Sequence, residues 1–239
     1  MIMKDRNILV VGGRSGIGLE IAKRLTAMGS RLDVVARGEQ LEIASSRLHY
    51  HSCDLTRDDC RFDFLPDRLD GVVYCPGTIR LKPLARLTEA DFMEDWQTNL
   101  MGAVRVLKAC QNRLKKARGD ASVVLFSTVA VAAGMPFHAS IAAAKGAVEG
   151  LMRSLAAEWA PRVRVNAIAP SLTDTPLAAG LLDSEAKRQA AAERHPLKRV
   201  GLPQEVADLT VFLLGASAGW ITGQVIGVDG GMSTLRFTR

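Results

Sequence analysis

One doubly wound α/β domain is predicted by this chain, with a seven-stranded parallel sheet and helices on both faces. Three observations carry that expectation. Apolar runs of strand length alternate with amphipathic helical stretches along the 239 residues, as in a parallel sheet buried on both sides. The first apolar run stops at a glycine-rich turn that opens directly into a helix. No linker, internal repeat or low-complexity stretch divides the chain, whose length suits a single domain (1–239) with a full core.

Strands are expected at about 7–11, 31–36, 47–52, 70–74, 121–127, 162–168 and 223–228. Helices are expected at about 16–28, 38–46, 57–64, 88–115, 138–160 and 204–215. Thr88, followed three residues later by Asp91, is close to a capping box and opens the fourth helix. Pro161 ends the fifth, because proline lacks the N–H that a helix interior requires. The segment from 170 to 203 breaks the alternation: Pro170, Pro176, Gly180, Pro196, Gly201 and Pro203 punctuate one helical piece at about 183–194. Such an excursion before the last helix is expected to form a lid over a site, at about 172–200.

Composition narrows the function classes. Apolar residues make up 48% and charged residues 23%, ordinary for a soluble globular protein. No apolar run approaches the roughly 20 residues of a membrane span, and Met1–Asn7 leads into the first strand without a targeting pattern. A cytoplasmic protein that does not engage membranes is expected. Cys53, Cys60, Cys75 and Cys110 lack metal-ligand spacing and a disulfide framework. Free thiols in a reducing compartment, and no metal, are the expectation. The net charge of +6 is scattered, apart from Lys115-Lys116-Ala117-Arg118. That run closes a helix, where cations suit the dipole, so nucleic acid is not an expected partner.

The first turn reads Ile8-Leu9-Val10-Val11-Gly12-Gly13-Arg14-Ser15-Gly16-Ile17-Gly18. Strand, glycine turn and helix in this order suit a dinucleotide pyrophosphate. Gly12 permits the tight turn, Gly16 the approach of backbone to phosphate, and Gly18 the close packing of helix on strand. The N–H groups around Arg14, Ser15, Gly16 and Ile17, with the positive helix end, face the anion. At the end of the second strand, Val34-Val35-Ala36-Arg37 has alanine where a carboxylate would hold a ribose 2′-hydroxyl. Arg37 beside it and Arg14 in the turn suit a 2′-phosphate. Alternation places Asp33 inside the strand, away from its tip. NADP(H) is therefore expected in preference to NAD(H).

With these motifs the chain resembles the short-chain dehydrogenase/reductase family over essentially its whole length. The resemblance implies a Rossmann-type domain that transfers hydride between a nicotinamide coenzyme and a small carbonyl or alcohol. Gly12, Gly16 and Gly18 match the family's glycine turn, and Asp54-Leu55 resembles the pair that touches adenine. Asn99 looks like the asparagine that supports a water chain to the active site. Asn166-Ala167-Ile168-Ala169-Pro170-Ser171 resembles the segment flanking the nicotinamide, which brings in Pro170 and Thr173. Thr175 matches a hydroxyl residue that contacts the carboxamide or phosphates. The end, Ile221 to Gly231, is similar to the family's last strand. The family is often dimeric or tetrameric through its fourth and fifth helices. A small-residue stripe (Ala142, Ala143, Ala147, Gly150, Ala156) permits that pairing and equally permits packing on the sheet.

Two motifs depart. Tyr74-Cys75-Pro76-Gly77 stands where the family has Asn-Asn-Ala-Gly, so only Gly77 is kept. The family also carries a serine, a tyrosine thirteen residues on, and a lysine four beyond. Here Lys145 fits and Thr128 keeps a hydroxyl, but Ile141 occupies the tyrosine position. Isoleucine has no proton to give. The two tyrosines, Tyr50 and Tyr74, lie in the third and fourth strands. His138, one helical turn before Ile141, is the leading substitute acid–base group; a helix cap or pocket wall is its other reading. The sequence thus supports an NADP(H)-dependent oxidoreductase with Thr128, Lys145, Asn99 and His138 at its centre. The alternative is a nucleotide-binding protein without redox activity, serving as a sensor or partner subunit.

Overall fold

The structure, a computed structural model, describes residues 3–39, 43–56 and 60–236. Seven parallel strands form one sheet: β1 (Asn7–Val11), β2 (Arg31–Ala36), β3 (Leu48–Ser52), β4 (Gly71–Tyr74), β5 (Ala121–Phe126), β6 (Val163–Pro170) and β7 (Val225–Val228). Their spatial order is β3-β2-β1-β4-β5-β6-β7. The chain winds outward from β1 to β3, then returns to β4 and winds the other way. Connections therefore diverge above the carboxyl ends of β1 and β4, where Val11 pairs with Tyr74. That divergence opens a crevice.

Helices cover both faces. On one side α1 (Gly16–Ala27) and α7 (Pro203–Leu214) bury Ile21, Leu25, Val206 and Val211 against Val10, Val34, Val124 and Ile168. On the other, α3 (Gly102–Leu114) and α5 (Ala139–Trp159) bury Val106, Leu107, Met152 and Trp159 against Leu9, Val72, Val123 and Val165. Between α5 and β6, Pro161 follows the helix end as expected. The excursion after β6 holds a 3-10 turn (Pro176–Leu181) and α6 (Glu185–Glu193), and Thr173 bridges back to Gly201.

Several expected elements differ. The helix expected at 88–115 is three pieces: α2 (Glu89–Trp96), a π-helical turn (Gln97–Met101) and α3. Its Thr88–Asp91 capping box forms as expected. The π turn has a cause: the Tyr74 hydroxyl donates to the Thr98 carbonyl at 2.6 Å, drawing that carbonyl out of the helical ladder. Gly102 makes room, since a Cβ there would lie 2.0 Å from the Tyr74 oxygen. Of the helix expected at 57–64, residues 57–59 lie outside the described residues and 60–64 are not helical. Phe62 is instead buried in the core, and Phe64 stacks on His51 with ring centroids 3.6 Å apart. For the helix expected at 38–46, residues 40–42 lie outside the described residues. The described flanks are bends and coil, beginning at Gly38 with φ of +86°. Cys53 and Cys60 are not free thiols; they are joined as a disulfide, while Cys75 and Cys110 are free. No described helix is long and apolar enough to cross a membrane.

A short helix, α4 (Val129–Ala133), follows β5.

Candidate active site

The crevice holds two adjoining cavities that share Ile17, Cys75, Gly77, Thr78, Thr175 and Leu177 as a common wall. The first lies over β1 and β2. Gly12 turns with φ of +77°, and its N–H donates to the Val35 carbonyl at 2.7 Å. Gly18 sits so close beneath this turn that a Cβ would come within 2.3 Å of the Gly12 carbonyl oxygen. Ser15 makes no side-chain cap on α1, and no acidic residue occupies the first turn. The positive end of the helix is left open to an anion. The sequence-predicted residues Gly12, Arg14, Ser15, Gly16, Ile17, Gly18, Arg37, Asp54, Leu55 and Gly77 all line this cavity. Asp33 does not; it is buried within β2, where it accepts from His51 Nε2 at 3.0 Å. The backbone cradle and basic rim fit a dinucleotide.

The second cavity lies between α5 and the excursion after β6. Thr128, His138, Ile141, Lys145, Pro170, Thr173 and Thr175 line it. Thr128 caps α4, its Oγ1 accepting from Ala130 N–H at 3.3 Å. Lys145 is buried and its Nζ donates to the Phe126 carbonyl at 2.9 Å. Burial pulls its pKa down to about 8, against the opposing pull of Cys75 and Asp95. Ile141, one helical turn earlier, presents its side chain to this cavity with no polar atom.

Neither tyrosine compensates. The phenol of Tyr74 is held by Thr98, and burial pushes its pKa far up. Tyr50 bonds the carbonyls of Ala36, Arg37 and Gly38 at the far side of the sheet. Cys75, at the junction, is pushed by burial up to about 12 and stays a neutral thiol.

Asn99 lies one layer behind the cavity wall. Its Nδ2 donates to the Asp95 carbonyl at 2.7 Å and to Thr78 Oγ1 at 3.0 Å, while its Oδ1 has no partner. That oxygen and Lys145 Nζ both approach Gly77, each 3.4 Å from where its Cβ would stand. A side chain at position 77 would crowd both of these polar groups, and glycine leaves them room.

Sequence reasoning missed two polar clusters here. Asp95, fully buried, accepts from Thr78 Oγ1 and Ser140 Oγ at 2.6 Å each, with Arg80 Nε 3.6 Å away. The i, i+4 spacing of Asp95 and Asn99 on one helix was the available signal. The other cluster joins Ser171 Oγ to His195 Nε2 at 2.8 Å. Twenty-four residues and a helix separate the two in sequence, and they meet where the chain folds back, with Thr173 bridging Gly201 and Leu197 N–H donating to the Gly230 carbonyl.

This geometry has close counterparts. A family profile described as enoyl-(acyl carrier protein) reductase matches residues 11–233. A short-chain type dehydrogenase/reductase from Mycobacterium ulcerans superposes with a TM-score of 0.90 at 31% identity, over 99% of this chain and 92% of that one. The chain belongs to the short-chain dehydrogenase/reductase family. Among relatives, Tropinone reductase homolog At2g29290 of Arabidopsis thaliana is 35% identical, across 99% of this chain and 96% of that protein. The ligand-free aldohexose dehydrogenase of Thermoplasma acidophilum matches with a TM-score of 0.88 at 26% identity, over 99% and 98% of the two chains. This short-chain dehydrogenase/reductase is thus a Rossmann-type domain of an oxidoreductase family that uses nicotinamide coenzymes.

Proposed function

We propose that the chain is an NADP(H)-dependent oxidoreductase that interconverts a small, largely apolar carbonyl compound and its alcohol. The observation that carries this reading is the continuity of the two cavities, with Lys145 and Thr128 on the far side of a shared wall from the glycine turn. A bound coenzyme supplies or accepts the hydride. The chain's own residues do the rest. The open N-terminus of α1 holds the pyrophosphate, Asp54 and Leu55 flank the adenine, and Pro170, Thr173 and Thr175 border the nicotinamide. Lys145 holds the nicotinamide ribose, Thr128 orients the substrate oxygen, and Asn99 backs Lys145 across Gly77. Ile79, Leu81, Met135, Leu172 and Leu181 make the walls apolar. Residues 172–200 act as the lid, with Leu177 reaching both cavities.

Two histidines line the cleft and can carry the proton that Ile141 cannot: His138 at the start of α5, and His195 behind Ser171. The redox reading holds with either. A homodimer or homotetramer is the proposed assembly, supported by exposed Met93 and Trp96 on α2, which packs beside α5. Light scattering that finds a monomer removes that part.

Coenzyme choice is supported by Arg14 and Arg37 at the cavity rim and by the absence of a carboxylate at Ala36. Calorimetric titration with both coenzymes is expected to show NADPH binding at least about tenfold tighter than NADH. Replacing Arg14 and Arg37 together by alanine should erase that margin, since each charge-assisted contact is worth about 1.5–3 kcal/mol. Equal binding by the unaltered protein overturns the preference. Turnover is read as NADPH consumption over a panel of small carbonyl compounds. Tight binding without turnover on any of them would leave a nucleotide-binding protein.

A further inference from the structure

We propose that Ser171 and His195 form the proton relay of this cleft, Ser171 touching the substrate oxygen and His195 charging it from behind. The proposal rests on the redox reading above and names the group that stands in for the missing phenol.

The titratable side chains lining the substrate cavity are Cys75, His138, Lys145, Arg194 and His195. Cys75 stays protonated with a pKa near 12, too weak an acid to serve, and Lys145, which donates to the Phe126 carbonyl, is assigned above to the nicotinamide ribose. His138 is half-exposed, and its Nδ1 donates to the Pro136 carbonyl two residues back, at 2.7 Å. It holds its own turn. His195 shares that backbone anchor but differs in its burial and in the partner of its other nitrogen. It is 2% exposed, and its Nδ1 lies 2.8 Å from the Ala191 carbonyl, which only accepts. The proton therefore sits on Nδ1, and Nε2 is aimed at Ser171 Oγ.

Ser171 Oγ has a second neighbour, Met232 Sδ at 3.1 Å. When His195 is the imidazolium, Nε2–H donates to Ser171 and the hydroxyl proton points to the sulfur. Thioether sulfur is a weak acceptor that a substrate oxygen readily displaces. The serine is itself anchored, its N–H donating to the Val228 carbonyl at 3.2 Å.

Recharging has its own route. His195, Ser171 and Leu172 also line a cavity on the opposite side, formed with Arg199, Gly201, Glu205 and Asp229. A proton can reach His195 from there without crossing the substrate. The charged groups around the imidazole are Asp229 beyond β7, Glu205 of α7 with its partner Arg199, adjacent Arg194, and Lys145 across the cleft. In the reductive direction the carbonyl carbon gains the hydride and its oxygen takes the Ser171 proton. Ser171 takes the Nε2 proton of His195, which ends neutral with its proton on Nδ1. Oxidation runs the same transfers backward.

Ser171→Ala is expected to lower kcat about 10²-fold, with KM and the NADPH dissociation constant unchanged within about twofold. Ser171→Thr, which keeps a hydroxyl, should recover most of the loss. The unaltered enzyme's reductive kcat should fall with rising pH as the imidazolium is lost, and Ser171→Ala should lose that limb. Nitrogen-15 NMR of the coenzyme-free protein is an independent readout. Neutral His195 should show a protonated Nδ1 and a bare Nε2 whose shift changes in Ser171→Ala. A protonated Nε2 in neutral His195, or Ser171→Ala turnover within about threefold of the unaltered enzyme, overturns the relay and leaves the redox reading intact. Should His138→Ala alone abolish the pH limb, the proton belongs to His138. An unaltered protein that binds NADPH but reduces nothing removes both readings together.

Discussion

The two halves of the crevice obey different rules. Over β1 and β2 the cradle is made of backbone N–H groups and of side chains that are missing, as at Gly12 and Gly18, with Arg14 and Arg37 only at its rim. Over β5 and β6 the polar groups are side chains: Ile141 brings none to the cleft wall, while Asp95 bonds Ser140 and Ser171 bonds His195. A backbone cradle has almost no alternative sequence. A proton source has many, because any titratable group within hydrogen-bond reach can serve. The first half is therefore fixed by geometry and the second is open to replacement.

The sharpest way to break this contrast is at Gly18. A single methyl there would stand 2.3 Å from the Gly12 carbonyl oxygen and 3.0 Å from the Gly13 Cα, both backbone atoms that cannot swing aside. Gly18→Ala must push α1 off β1 and spoil the turn. The expected outcome is loss of measurable NADPH binding by calorimetry, with a lowered melting temperature. Retained binding within about tenfold would mean that the cradle is adaptable, and the contrast between the halves would fail.

The same contrast explains what could be read from the sequence. The strands, the glycine turn, Asp33 as an internal strand residue and Thr88 as a helix cap follow from local rules of period, turn and cap. The breaks in the pattern came from contacts between distant segments. The π turn at Gln97–Met101 depends on the Tyr74 hydroxyl, 24 residues before Thr98 in sequence. Phe62 and Phe64 are drawn into the core and onto His51, where a helix would have turned one of them outward. The Ser171–His195 contact was hidden for the same reason. Its two members meet only in the folded excursion, where residue 173 bridges residue 201 and residue 197 bonds residue 230.

A second test restores what the chemistry half has lost. Ile141 is buried at the cleft wall, one helical turn from Lys145 and thirteen residues beyond Thr128. Ile141→Tyr places a phenol beside an ammonium and a hydroxyl that are already in position. A positioned general acid contributes about 10²–10⁴-fold, so a kcat gain on the order of 10²-fold is expected for substrates that the present enzyme turns over slowly. The gain should survive in Ser171→Ala, because the phenol bypasses the relay. If the tyrosine variant is folded and binds NADPH yet gains nothing, the geometry around Lys145 is not that of a reductase awaiting an acid.

The smallest expected effect concerns Lys145 and needs no coenzyme. Its buried ammonium titrates near 8, whereas a lysine in the unfolded chain titrates near 10.5. Between those values the unfolded state binds more protons than the folded state, so stability must rise with pH across that window. The burial penalty on the charged form is fully felt below pH 8 and is relieved above it. For this group alone the gain from pH 8 to pH 9 is about 1 kcal/mol. Denaturant unfolding of the coenzyme-free protein at both pH values, against Lys145→Met as the reference, isolates the contribution of this lysine. The methionine variant should be less responsive to pH by that amount. Identical pH slopes in the two proteins would mean that Lys145 keeps its charge in the cleft without penalty, and that nothing in the chemistry half strains it before a coenzyme arrives.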